Sequence, residues 1–274
     1  MSLAPADFDF VRELVRKHAA IVLEENKGYL VESRLEPLAR KLEGIGTLPA
    51  LVTRLRATRF GPLHMQVIDA MTTNETSFFR DVHPFEILQK EVLPKLIEQR
   101  AASRQLDIWC AACSSGQEPY TIAILLREHF PQLRDWKVGI RATDLSPAMV
   151  KRAREGKYSQ LEVNRGLPAP LLARHFTRQG TQWVVNDDVR KMIDFREMNL
   201  IEPWPMMPPI DVVFIRNVLI YFDVPVKKQI FGNMRKVMRP DGYLFLGAAE
   251  TTLGIDDSFT RLQYEKAGCF RLKS

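Results

Sequence analysis

The chain reads as an α/β protein: a doubly wound, mostly parallel sheet with an all-helical N-terminal domain before it and a small antiparallel β insert within it. Three observations predict this. Apolar residues up to about residue 72 fall at three- and four-residue spacings. From Leu106 onward, short apolar runs alternate with amphipathic stretches, the pattern of parallel βαβ units. Between about 176 and 198, two short β-like runs break that alternation. With 274 residues, 46% apolar and 26% charged, the chain can bury cores in two unequal domains, expected at 1–72 and 73–274.

In the first domain Phe8, Val11, Leu14 and Val15, then Leu35, Leu38, Ala39 and Leu42, lie on helical faces. Thr47 before Leu48-Pro49 marks a helix start, since proline tolerates the first turn. The polar run Met71–Asp81 interrupts the periodicity, and Pro84–Gln99 restores it. The sheet is then read from IWCAA, KVGIRATD, IDVVFIRN and GYLFLGAAE, with helices in YTIAILLREHF, SPAMVKRAREG and Val226–Val237. Gln182–Val185 and Met192–Glu197 form the expected insert, and Phe259–Tyr264 and Cys269–Leu272 close the chain.

Composition excludes several classes. No apolar run approaches the roughly 20 residues of a bilayer span, and the N-terminus mixes acids and bases where a signal peptide would be apolar, so the cytoplasm is the expected location. Three cysteines are expected as reduced thiols, the Asn74-Glu75-Thr76 sequon has no meaning there, and five scattered histidines propose no metal site. The net charge of +6 favours acidic partners. From Arg34 to Arg59, six bases (Arg34, Arg40, Lys41, Arg54, Arg56, Arg59) oppose two acids, Glu36 and Glu43. A basic helical face and an ordinary solvated surface with salt-bridge partners both fit. A nucleic acid site would interleave aromatics with these charges, and this stretch has none.

DIWCAACSSGQEPYTIAILL, Asp107–Leu126, poses a choice between a dithiol and a nucleotide loop. A reactive Cys110-x-x-Cys113 pair would start a helix, where the dipole lowers a thiol pKa. Here Gly116-Gln117-Glu118-Pro119 starts the helix, leaving both cysteines at a strand end. The small residues Ala111–Gly116 could lie against a nucleoside, although the G-x-G-x-x-G pattern is absent. Asp144 ends the next strand, where an acid can hold ribose hydroxyls or begin the turn into Ser146-Pro147. Glu118 would repel a diphosphate, so a nucleoside with a cationic part, such as S-adenosylmethionine, suits the loop better.

Six segments together resemble the chemotaxis receptor methyltransferases, the CheR family: NETSFFR (74–80), CSSGQEPYT (113–121), ATDLS (142–146), MNL (198–200), RNVLIYF (216–222) and RPDGYLFLGAAE (239–250). The resemblance spans nearly the whole chain. It implies a Rossmann-like S-adenosylmethionine-dependent methyltransferase, a protein-glutamate O-methyltransferase that esterifies chemoreceptor helices, releases S-adenosylhomocysteine and serves sensory adaptation in bacterial chemotaxis. It places Asn74, Thr76 and Arg80 over the cofactor, Glu118 at its amino acid portion, Asp144 at the ribose, Asn199 and Leu200 beside the adenine, and Arg216 and Asn217 at the cleft. Arg80 and Tyr221 would hold the acceptor as catalytic residues. The same residues could be a linker with Phe78 and Phe79 in the core, a turn cap at Asn199 and a packing aromatic at Tyr221.

An ionised glutamate needs no base to attack a sulfonium methyl, so positioning is the main requirement. The acidic receptor bundle would be approached through Arg34, Arg40, Arg54, Arg56 and Arg59. The insert RQGTQWVVND is compact, with Gly180 alone, where some relatives carry a longer loop that docks a receptor tail peptide. A tail-independent enzyme, with no nucleic acid partner and no membrane insertion, is therefore expected; methylation of another acidic or nucleic acid substrate is the alternative.

Overall fold

The computed structural model describes residues 3–264 and 266–273. The chain divides into two compact units, Met1–Thr73 with Tyr221–Val226, and Asn74–Ile220 with Lys227–Ser274.

The first unit holds helices α1 (Pro5–Ala19), α2 (Gly28–Lys41), α3 (Leu48–Ala57) and α4 (Pro62–Met71). Their apolar stripes meet in a core that includes Val11, Val15, Val31, Leu35, Leu51, Leu55 and Val67. Thr47 caps α3, its hydroxyl accepting from Ala50 N at 3.4 Å, with Pro49 in the first turn. Tyr221–Val226 groups with these helices although it lies far along the chain. Val22 N donates to Tyr221 O at 3.0 Å, and Arg16 lies 3.8 Å from Asp223.

The second unit contains a seven-stranded sheet and a three-stranded one. Its strands are β1 (Gln105–Ala111), β2 (Lys137–Asp144), β3 (Lys157–Ser159), β4 (Phe176–Gln179), β5 (Gln182–Val185), β6 (Ile193–Glu197), β7 (Ile210–Ile215), β8 (Met238–Leu246), β9 (Phe259–Arg261) and β10 (Gly268–Leu272). The large sheet has the order β6-β2-β1-β7-β8-β10-β9, parallel from β6 to β8, with β10 antiparallel to both β8 and β9. Every residue of β7 is buried, as parallel central strands require. Phe214 stacks between Phe245 and Phe85, at 4.5 and 5.9 Å.

The small antiparallel sheet runs β3-β5-β4. Its membership corrects one expectation: Met192–Glu197 does not belong to it. Ile193–Glu197 pairs in parallel with β2, from Ile140↔Ile193 to Asp144↔Glu197, and the insert takes Lys157–Ser159 instead. Alternation of buried Ile193 and Phe195 with exposed Asp194 and Arg196 signals a half-buried strand but carries no record of which sheet it joins. No described helix is long and apolar enough to cross a membrane.

Candidate active site

The order β2-β1-β7 makes the carboxyl end of β1 a topological switch point, the usual ligand crevice of an open α/β sheet. The loop after β1 lies there in sparsely populated conformations. Ala112 and Ser114 have φ of 54° and 50°, and Gly116 has φ 93°. A Cβ at Gly116 would come within 2.9 Å of Ala153 Cβ, so the helix start beyond it needs glycine. Asp144 organises this loop. Its Oδ2 accepts from Ser114 N at 2.7 Å and its Oδ1 from Ser146 N at 2.9 Å, so it does begin the turn into Ser146-Pro147 while also bracing the neighbouring loop.

Cys110 and Cys113 are reduced and buried. Burial pushes both thiols well above their ordinary pKa, helped by Glu118 at Cys110 and by Asp144 at Cys113. A thiolate is strongly disfavoured, and the dithiol alternative falls.

The following helix, Gln117–His129, presents Glu118 in its first turn. Arg216, immediately after β7, donates from Nη1 to Glu118 Oε2 at 2.8 Å. Its Nη2 donates to Arg80 O at 2.9 Å and to Asp81 Oδ2 at 2.8 Å, and the guanidinium lies 5.6 Å from the Phe85 ring centroid. This arginine side chain is only 2% exposed and Glu118 13%. Burial raises the Glu118 carboxyl above its usual range, against the opposing pull of Arg216. Arg216 Nε is buried without a partner among the described residues.

Arg216 thus ties the junction segment to the sheet. That segment is fixed elsewhere by Ser114 Oγ donating to Asn74 O at 2.8 Å and Phe79 N donating to Thr121 Oγ1 at 3.1 Å. Phe78 is fully buried, edge-on to Tyr158 at 5.0 Å. Phe79, Asp81 and Val82 all have positive φ, so Arg80 sits in a strained turn. Its Nη1 donates to Glu75 O at 2.8 Å.

Sequence reasoning missed Glu250. This buried carboxylate accepts four backbone N–H groups: Asn217 (2.8 Å) and Gly247 (2.7 Å) on Oε2, Val218 (2.9 Å) and Leu219 (2.7 Å) on Oε1. It holds Asn217 at φ 60° and so shapes the loop after β7. A Cβ at Gly247 would lie 2.7 Å from Glu250 Oε2. The signal in the sequence was GAAE directly after β8, where an acid reads as part of a solvated loop.

The structure therefore brings Asn74, Thr76, Arg80, Glu118, Asp144, Arg216 and Asn217 onto mutually bonded loops and helix starts within the sheet unit. Asn199 caps a turn, its Oδ1 accepting from Ile201 N at 3.3 Å, and Met198 N donates to Asp144 O at 2.8 Å. Leu200 is buried, and its carbonyl accepts from Trp204 Nε1 at 3.0 Å. Tyr221 belongs to the segment grouped with the helical unit.

The five arginines of the helical unit separate into two kinds. Arg34 donates to Met71 O, Thr72 O and Thr73 Oγ1, closing the carboxyl end of α4. Arg56 bonds Ala6 O and Asp7, and Arg40 pairs with Glu36. Arg54 and Arg59 are exposed, with no ion pair among the described residues.

Residues 6–72 match the all-alpha domain of the CheR methyltransferases, and residues 74–267 match the CheR methyltransferase SAM binding domain. Chemotaxis protein methyltransferase 1 of Pseudomonas aeruginosa is 43% identical over 277 residues, covering 100% of both chains. Chemotaxis protein methyltransferase Cher2 of Pseudomonas putida is 43% identical over 267 residues, covering 96% of each. A chemotaxis protein methyltransferase of Vibrio parahaemolyticus is 39% identical over 97% of this chain and 96% of its own. A SAM binding domain behind an all-alpha domain, matched along the full chain by such relatives, makes this protein a member of the CheR methyltransferase family.

Proposed function

We propose that this protein esterifies glutamate side chains on the cytoplasmic helices of chemoreceptors, using S-adenosylmethionine and releasing S-adenosylhomocysteine, and so serves sensory adaptation in bacterial chemotaxis. The observation that carries the reading is the Arg216 clamp, which joins Glu118 to the segment bearing Arg80 at the switch point of the sheet. The residues suit a cationic nucleoside: a loop of small side chains, two carboxylates and no lysine or arginine in Ala111–Gln117 to receive a phosphate.

Bound S-adenosylmethionine supplies an electrophilic methyl group on a sulfonium. Glu118 accepts from the ammonium of its amino acid portion, and Arg216 favours the ionised carboxylate against the burial that raises its pKa. Asp144, which also braces Ser114 and Ser146, receives the ribose hydroxyls. Asn74 and Thr76 cover the cofactor, Asn199 and Leu200 flank the adenine, and Asn217 completes the cleft. Arg80 and Tyr221 orient the acceptor carboxylate. A glutamate side chain ordinarily titrates near about 4.3, so the acceptor is already ionised at neutral pH and no proton has to be removed. Alignment of nucleophile and methyl can supply an effective molarity of roughly 10⁵–10⁸ M. Each turnover removes one negative charge from the receptor helix.

Arg54 and Arg59 steer the acidic bundle, while Arg34 and Arg56, engaged inside the helical unit, shape the surface that presents them. The compact β4–β5 turn supports receptor recognition without a tail peptide. The cytoplasm is the compartment where this substrate is exposed. The names of the relatives favour a chemoreceptor over a nucleic acid acceptor.

The test is transfer of label from tritiated S-adenosylmethionine to a purified chemoreceptor cytoplasmic fragment, followed by alkali. A glutamyl ester releases its label as methanol. Alkali-stable label, or none, overturns the reading.

A further inference from the structure

The loop after β1 carries a carbonyl that the following helix does not take up. Gly116 O accepts from Tyr120 N at 3.1 Å, but Pro119 has no N–H with which that helix could reach back to Ser115 O. Ser115 is 3% exposed, so its carbonyl needs a donor from within the fold. The insert supplies one. Tyr158 Oη donates to Ser115 O at 2.6 Å.

The local fold delivers that phenol. Gly156, at φ 60°, ends the Pro147–Glu155 helix and turns the chain into β3, and Val185 N donates to Gly156 O at 2.9 Å. Along β3 the side chains alternate, with Lys157 and Ser159 outward and Tyr158 fully buried. The Tyr158 ring stands edge-on to Phe78 of the junction segment at 5.0 Å, to Tyr120 at 6.2 Å and to Phe176 of β4 at 6.5 Å. Burial pushes its hydroxyl well above the ordinary pKa, which keeps it a proton donor. The peptide that accepts lies between Ser114 and Gly116, both at positive φ, in the loop that Asp144 braces from the other side.

We propose that Tyr158 is a positioning residue for the cofactor: its hydroxyl fixes the Ser115–Gly116 peptide, and with it the one conformation in which the loop after β1 receives S-adenosylmethionine. A loop already ordered binds more tightly, because less ordering is left for the binding event. The insert then serves the cofactor site without any receptor peptide. The proposal rests on the assignment of that loop to the cofactor and adds to it a residue from outside the parallel sheet.

The experiment measures S-adenosylhomocysteine binding by calorimetry, together with Tm, for wild type, Tyr158→Phe and Tyr120→Phe. Phenylalanine keeps the packed ring and removes only the hydroxyl. Tyr120 is the control, since it is equally buried but donates to Ala153 O, at 2.7 Å, on the Pro147–Glu155 helix. Affinity should fall roughly tenfold in Tyr158→Phe. In methyl transfer to a chemoreceptor cytoplasmic fragment, the KM for S-adenosylmethionine should rise by the same factor while the fragment KM stays as in wild type. Tyr120→Phe should bind as wild type does. Unchanged affinity in Tyr158→Phe overturns the proposal. An equal loss in both variants overturns it too, by making Tyr158 one stabilising contact among others. Asp144→Ala tests the loop assignment separately: affinity lost there but kept in Tyr158→Phe removes the brace alone, and affinity kept in both removes the cofactor loop itself.

Discussion

The two ends of the parallel sheet both bury charge, and they use it in opposite ways. At the amino end, Arg100 bridges Asp211 at 2.8 Å and Asp241 at 2.6 Å. Asp211 also accepts from Asp107 N and lies 3.1 Å from Arg239, while Asp107 lies 3.7 Å from Arg141. Each of these charges has an opposite charge inside the fold. At the carboxyl end, Glu250 is occupied by backbone alone, Glu118 is clamped through one oxygen, and the loops pass through positive φ at Phe79, Asp81, Val82, Ala112, Ser114 and Asn217. At the amino end the ions are matched charge for charge, although Arg141 Nη1 and Arg239 Nε lack hydrogen-bond partners among the described residues. At the carboxyl end, charge carried on a run of strained backbone marks where the protein meets something else.

The largest test of that contrast is Glu250→Gln. Each carboxylate oxygen takes two N–H groups, so an amide nitrogen in either position faces two donors. Methyl transfer should fall by at least about 100-fold, with a loss of about 2–3 kcal/mol in unfolding free energy by denaturant titration. Wild-type activity in this variant would erase the distinction between the two ends. Next comes Arg216→Lys, which keeps the charge but loses the fork that reaches Glu118, Arg80 O and Asp81 together. S-adenosylhomocysteine affinity should drop roughly 10- to 100-fold by calorimetry.

Glu118 sharpens the contrast through pH. Burial raises its pKa in the fold, so it favours folding at low pH and withdraws that contribution as pH rises through its folded value. Cofactor binding runs the other way, because it needs the carboxylate. S-adenosylhomocysteine affinity should therefore begin to fall, as pH is lowered, while ordinary glutamates are still ionised. Glu118→Gln should bind more weakly and lose this pH dependence.

Asp241→Asn at the opposite end is the control. Losing half of the Arg100 fork should cost about 1 kcal/mol, a shift of about 2–4 °C in Tm, and leave S-adenosylhomocysteine affinity intact. The smallest effect belongs to the helical unit: Arg54→Glu with Arg59→Glu should raise receptor KM about threefold at low salt, less at high salt, without altering cofactor affinity.

Much of this was legible in local pattern. The α/β alternation, the small-residue loop after β1 and the acid ending β2 all follow from periodicity and turn chemistry within a few residues. Asp144 was legible because its bonds to Ser114 and Ser146 connect consecutive strand ends. Glu250 was not: its 31- to 33-residue reach to Leu219, Val218 and Asn217 is like the 30 residues between Asp144 and Ser114, but an acid that ends a strand has a recognised part in nucleoside sites, whereas one four residues past a strand reads as a solvated loop. Arg34 reads as one more base on a helical face until the fold brings it to Met71, Thr72 and Thr73.

By itself the sequence determined the helices of the first unit and the long strands and helices of the second, though not the short β3 and β4 or the short helices between them, and also that the cysteine pair ends a strand and which family the motifs resemble, because these depend on spacing and composition along the chain. Only the tertiary structure decided that Ile193–Glu197 completes the parallel sheet, that Arg216 clamps the junction segment, and that Glu250 moulds the loop after β7. Those outcomes depend on which distant groups burial forces to share hydrogen bonds, and a buried polar group chooses its partner by position in space.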